Sequence, residues 1–306
     1  MKGVNLLIGV LCFYLNISNG NSQGRSPGST ANEMCKRYTE NAKKNNICPA
    51  SLSTPSNSPR SLAGKGEFPH MVEIGYSHNN GYMWLASGFV ISKNFVLTIA
   101  YVPKPQELKG AAPVIIRAGV TDHNDLANEQ LRNIESIIVH PQYNPPILRY
   151  NDIALIKVKE DFKFNKFVSP VCLYTSDKLP GGNVIHSGWG ATDRSGKRQT
   201  HMLKVFNHFD DNFAKCNSTY YHLLPGVPQG LHKNEMICVA RNNIDDCQGD
   251  SGSPLQVYRK DSSNTNCMYD VVGISAFGFG CGWTKDPQVF TSVSYFIKWI
   301  EDNVWP

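Results

Sequence analysis

The sequence predicts an all-β protein of antiparallel strands, closed at its carboxyl end by a helix. Three observations lead there. From Phe68 onward, short apolar or alternating runs recur, separated by Gly, Pro, Asn and Asp turns, the pattern of a sandwich or barrel. The 306 residues, 41% of them hydrophobic and 18% charged, suffice for one large β domain or two ordinary ones. The final segment changes period from two to 3.6.

In chain order, residues 1–20, "MKGVNLLIGVLCFYLNISNG", place Lys2 before a short apolar run and then small and polar residues. This reads as a secretory signal, with a buried amino-terminal helix as the alternative. Residues 21–60 are rich in Ser, Asn, Pro and Lys and poor in aromatic and branched residues. They predict an extended leader, ordered mainly where Cys35 and Cys48 tie it down. The strand runs follow as "MVEIGY", "GFVIS", "FVLTIA", "PVIIRAGV", "DIALIKV" and "DVVGISAF". In "SYFIKWIEDNVW", Phe296, Ile297, Ile300 and Val304 share one face, predicting an amphipathic helix docked on the strands. No later run is long and apolar enough to span a bilayer, so a soluble mature protein without a membrane partner is expected.

The net charge of +5 is carried by Lys2 and by the leader, where Arg25, Lys36, Arg37, Lys43, Lys44 and Arg60 face Glu33 and Glu40. The remaining body is neutral, which argues against a nucleic-acid partner and makes the leader a solvated tail rather than a polyanion-binding arm. Of nine cysteines, Cys12 lies in the signal and eight remain. An even set in a secreted chain predicts disulfides; no pair has zinc-knuckle spacing, so no metal and no cofactor are expected. Asn217-Ser218-Thr219 is a glycosylation sequon in keeping with the same extracellular compartment.

"DDCQGDSGSPL", Asp245 to Leu255, carries the chemistry. Acyl transfer by serine needs a hydroxyl, a base, an acid orienting that base, and N–H groups aimed at the oxyanion. Ser251 offers the hydroxyl, and the N–H groups of Gly249 and Ser251 offer an oxyanion hole. With Cys247 before it and "GISAFGFGCG" (273–282) after it, this string resembles the trypsin-like, chymotrypsin-fold serine proteases. The resemblance covers residues 61–306, because "GEFPHM" (66–71), "SGFVISKNFVLTIA" (87–100), "NDIALIKV" (151–158), "VSPVCL" (168–173), "SGWG" (187–190), "EMICV" (235–239) and "DPQVFT" (286–291) all fall in family order. "GEFPHM" and "CMYDVVGI" look particularly like arthropod haemolymph proteases of the clip-associated kind, although the leader has too few cysteines for a clip domain. The resemblance implies two six-stranded antiparallel β-barrels with the active site between them.

Carried over residue by residue, the resemblance puts Asp152 in the place of the triad aspartate and Ser251 in that of the serine. The family's "LTAAHC" aligns with Leu97 to Val102, which leaves Tyr101 at the histidine position. A phenol with a pKa of about 10 is ionised at roughly one part in a thousand near neutrality and cannot relay the serine proton. His70 and His123 are the nearby imidazoles, and no family pattern places either in the cleft. The serine that braces the aspartate aligns with Ala276, which leaves Tyr101's hydroxyl as the expected donor to Asp152. Asp245 falls on the family's basic-specificity aspartate and Gly278 on the pocket wall, while Gln288 replaces the facing glycine and is expected to reach Asp245 and plug the pocket.

Two family bridges are missing as pairs, at Ala86 with Val102 and at Val184 with Val257. The resemblance implies Cys216–Cys238 and Cys247–Cys281, together with Cys48–Cys172 and Cys35–Cys267 from a leader that stays tethered; the last four cysteines allow three pairings. Cleavage at Arg60 would expose "SLAGKGEFPHM" rather than the family's "IVGG". The expectation is therefore a secreted, catalytically inactive serine protease homologue of innate immunity or another extracellular cascade. It would bind extracellular proteins such as proteases, protease inhibitors or cascade substrates. The alternative is an active trypsin-like endopeptidase cleaving after Arg or Lys.

Overall fold

The computed structural model describes residues 25–48, 60–102, 111–144, 149–191, 197–210, 212–240, 251–259, 267–278 and 286–306. Strands β2 (Met71–His78), β3 (Gly81–Val90), β4 (Phe95–Thr98), β5 (Ile115–Ala118), β6 (Gln130–Val139) and β7 (Ala154–Val158) close an antiparallel barrel in the order β2-β3-β4-β7-β6-β5. Each predicted run in this half became a strand. The β2–β3 hairpin turns through Asn79 at φ 48°, a left-handed conformation that asparagine tolerates. A short strand, β8 (Cys172–Leu173), then leads to the second barrel and runs parallel to the strand Tyr269–Phe277.

The second barrel comprises β9 (Val184–Gly188), β10 (Leu203–Phe209), β11 (Met236–Ala240), β12 (Pro254–Tyr258), β13 (Tyr269–Phe277) and β14 (Gln288–Ser292). Its order is β10-β11-β14-β13-β12-β9, and pairing of β9 with β10 closes it. Two six-stranded barrels are thus present, as expected. Their interiors are continuous: Val72, Ile74, Phe89, Leu97, Ile116 and Leu155 from one and Ile185, Trp189, Val271 and Ile274 from the other belong to a single buried cluster. Burying each such side chain contributes about 1.5–3 kcal/mol. The closing helix, α3 (Ile297–Val304), adds Ile297, Ile300 and Val304 to that cluster.

The replaced bridges are filled by packing. Ala86 and Val102 are both buried in the main core, and Val184 packs in one cluster with Val257. Apolar side chains at both ends leave no thiol exposed to oxidation.

The leader departs from the extended expectation. Residues Ser29–Lys44 form a helix, α1, whose buried positions Ala31, Cys35 and Ala42 recur at helical spacing and face the body. Its first-turn amides are satisfied from far along the chain, Glu301 on α3 accepting from Gly28 N at 3.0 Å and from Ala31 N at 2.8 Å. A carboxylate there both caps the helix and opposes its dipole. Gly28 itself is left-handed at φ 87°, and a Cβ on it would lie 2.8 Å from Thr175 Cβ, so the approach requires glycine.

The helix also reverses the expected bridges. Cys35 bonds Cys172 and Cys48 bonds Cys267, with Cα separations of 5.1 and 4.8 Å, in place of Cys48–Cys172 and Cys35–Cys267. An extended leader could reach either sulfur in either order. A helix cannot, because it turns Cys35 inward onto β8 and delivers Cys48 past its own end to Cys267. Both bridges still join leader to body, so a cut at Arg60 would not release the leader. Cys216–Cys238 is present as expected, and Cys247–Cys281 lies outside the described residues.

Candidate active site

Asp152 and Tyr101 meet at the barrel junction. Tyr101 lies just beyond β4, and Asp152 precedes β7, the strand paired with β4. Asn151 turns the chain into place at φ 57°, its amide held by the Glu235 carboxylate. Thr291 on β14 donates to the Asp152 carbonyl at 3.0 Å, tying the aspartate to the second barrel.

The contact between the two residues is not the expected one. Tyr101 donates its backbone N–H to Asp152 Oδ1 at 2.9 Å; the phenol is not the donor. Asp152 is 1% exposed, and its Oδ2 is buried without a hydrogen-bond partner. Ala276, whose position in the family carries a serine, is itself buried and has no hydroxyl to offer. Burial raises the Asp152 pKa to about 7, against the lowering effect of the Tyr101 amide and the Arg149 charge.

Ser251 sits half-buried at the entry to β12, its carbonyl accepting the Ser87 N–H of the first barrel at 3.0 Å. Gly252 follows at φ 89°, packed so closely that a Cβ would lie 2.2 Å from Ser87 O and from Thr98 Oγ1. The turn presenting Ser251 is therefore fixed against the first barrel. Among the described residues none hydrogen-bonds Ser251 Oγ.

Each nearby imidazole is held elsewhere. His70 is buried against Phe68 and Tyr269, with Nε2 2.6 Å from Gln256 Oε1. Burial takes its pKa down to about 3. His123 lies 3.1 Å from both Glu73 carboxylate oxygens and stacks on Trp189. His186 contacts Ser253 Oγ at 2.7 Å from within the core.

The specificity residues are placed only in part. Asp245 and Gly249 lie outside the described residues. Gly278 is half-buried at the end of β13, next to Phe277. Gln288 is buried, as an inward-turned plug requires, but its Nε2 donates to Ser275 Oγ at 3.0 Å. Arg60 begins strand β1 (Arg60–Leu62), paired antiparallel with β10 through Arg60↔Val205. Just downstream, Glu67 accepts from Gly64 N and from the buried Lys204 Nζ at 2.8 Å, so the segment after Arg60 is fastened to the second barrel. The sequon residue Asn217 lies on helix α2 (Phe213–Leu223), where its Oδ1 accepts the Leu231 N–H at 2.6 Å. Cys35, Cys172 and Asp270 cluster closely, but the two sulfurs are bonded to each other and offer no thiolate to a metal.

Sequence reasoning missed Arg149. Its guanidinium carbon stands 5.6 Å from the centre of the Tyr101 ring and 5.8 Å from that of Phe277. Only its position three residues before Asp152 hinted at the site.

Two closed six-stranded antiparallel barrels with a carboxyl-terminal helix define a class, that of chymotrypsin-like folds. A family model described as Trypsin matches residues 60–300. The chain belongs to the trypsin family. It is 32% identical over 256 residues to CLIP domain-containing serine protease C9 of Anopheles gambiae, covering 79% of this chain and 66% of that one. It is 31% identical to Serine protease Hayan of Drosophila melanogaster, covering 79% and 38%, and 30% identical to Trypsin-1 of Astacus astacus, covering 78% and 95%. The chain thus spans less than two thirds of the length of both of these insect relatives. A solved structure titled "Structure of GrC" shares the fold at a TM-score of 0.62 and 24% identity, over 79% of this chain and 97% of that one.

Proposed function

We propose that this chain is a secreted, catalytically silent member of the trypsin family that acts by binding, as a cofactor or decoy in an extracellular protease cascade. The observation that supports the reading most is the environment of Asp152. Asp152 is engaged by a backbone amide rather than by an imidazole, its second oxygen is orphaned, and no described side chain bonds Ser251 Oγ. Without a base the serine remains a neutral alcohol, and loss of the histidine in a serine protease costs on the order of a millionfold in turnover.

Further support comes from what is kept. The barrels close, the Ser251 turn is locked by Gly252, and two bridges hold the leader in place. Such bridges suit an oxidising, extracellular compartment. The relatives named as CLIP domain-containing and Hayan serine proteases are the kind of protease that a non-cleaving homologue would compete with or assist.

A fluorophosphonate reporter, which reacts only with an activated serine, tests the silence of the site. Wild-type protein is expected to label no faster than its Ser251→Ala variant, while active trypsin in a parallel tube labels fully. Labelling that the Ser251→Ala change abolishes would show an activated nucleophile and overturn the reading.

A further inference from the structure

Arg149 enters the cleft without an ion-pair partner among the described residues. Its backbone is pinned, the Arg149 N–H donating to Gly226 O at 2.9 Å, while the next residue, Tyr150, stacks on His232 at 4.3 Å and donates its hydroxyl to Gly230 O. The guanidinium is half-buried near the Tyr101 and Phe277 rings, and no carboxylate among the described residues lies within ion-pair distance of it.

Aromatic rings hold a guanidinium by cation–π attraction without consuming its N–H donors, so the planar fork stays available and oriented. Asp152, whose charge Arg149 feels, turns its bonded oxygen to Tyr101 N and is partly protonated near neutrality, so it offsets Arg149 only in part. A fork of this kind matches a carboxylate in two parallel hydrogen bonds, and it repels a basic side chain. The ring faces beside it offer apolar surface to the chain carrying that carboxylate.

We propose that Arg149 anchors an acidic side chain, Asp or Glu, from an extended segment of the partner protein. The cleft would then select the opposite charge from the one that Asp245 suggests by sequence. This inference rests on the reading of the cleft as a binding site that does not cut.

The test uses fluorescein-labelled hexaglutamate, hexaglutamine and hexalysine, titrated with full-length protein at low salt and near-neutral pH and read by anisotropy. Wild type is expected to bind hexaglutamate about tenfold or more tighter than the other two. Arg149→Gln should lose that preference, Arg149→Lys should keep part of it, and Lys36→Gln/Lys44→Gln on the exposed face of α1 should keep it all. A preference that survives in Arg149→Gln, or its absence in wild type, overturns the proposal. The same preparations are assayed for arginine-amide hydrolysis. Ser251-dependent turnover there would overturn the silent-cleft reading, whereas silence without a glutamate preference would overturn only the role of Arg149.

Discussion

Asp152→Asn is expected to melt at a higher temperature than wild type above neutral pH and to lose that advantage on acidification. The unfolded carboxyl titrates near 3.8 and the folded one at about 7. Between those values the folded state holds the proton more tightly, so stability is greatest below the lower value, falls as pH rises through the window, and levels off above the upper one. The full shift corresponds to about 4 kcal/mol. Asparagine removes the buried charge while still accepting the Tyr101 N–H, but it leaves an N–H group where Oδ2 now has no partner, at a cost of about 1–3 kcal/mol. The net gain of about 2 kcal/mol amounts to about 4–8 °C for a domain of this size. Thermal melts of both proteins across the window check this. A difference that does not change with pH would mean that Asp152 is not held as an isolated buried carboxyl.

Glu73→Ala is expected to be among the most damaging single changes in the first barrel. Glu73 is fully buried and receives Arg117 Nε at 2.9 Å as well as Arg117 Nη2, with His123 Nε2 at 3.1 Å. Arg117 is buried too, its guanidinium 4.1 Å from the Trp84 ring. Removing the carboxylate leaves that buried cation with the Glu129 carboxylate at 3.9 Å in place of its hydrogen-bonded partner and should cost about 3–5 kcal/mol, a fall of about 10 °C or more in the thermal midpoint. Glu73→Ala/Arg117→Met should recover much of the loss, since neither charge then remains to be solvated. Burial alone would raise the Glu73 pKa, but the His123 hydrogen bond and the Arg117 charge win and hold it low. The contribution is therefore present above the unfolded pKa and is lost as pH falls through the folded one, so the gap between wild type and variant should narrow in acid. Equal stability of wild type and Glu73→Ala at neutral pH would contradict this account of the cluster.

The β runs were readable because each strand buries a face of branched and aromatic residues, and local alternation reports that directly. The carboxyl-terminal helix was readable for the same reason at a different period, in Ile297, Ile300 and Val304. Helix α1 was not, because its buried face is made of Ala31, Cys35 and Ala42, too small to stand out, and its cap is Glu301 at the other end of the chain. The crossed cysteine pairs follow from that one omission. At the site, residue types could be read but not the atoms that would meet. Tyr101 and Asp152 were matched correctly as neighbours, yet the bond runs through a main-chain amide that no sequence motif encodes. Gln288 is buried with its amide nitrogen on Ser275, while Asp245, the partner expected for it, lies outside the described residues. Arg149 precedes a motif without belonging to it, and only the fold sets it beside two rings.

The proposed cleft binds and does not cut. Hydrolysis of a fluorogenic arginine amide by the full chain, before and after cleavage at Arg60, tests it most directly when each form is compared with its Ser251→Ala counterpart. The wild-type and variant traces are expected to coincide in both forms. Turnover that appears in the wild type and vanishes with Ser251 would mean that another group performs the missing imidazole's work, and the protein would be a protease.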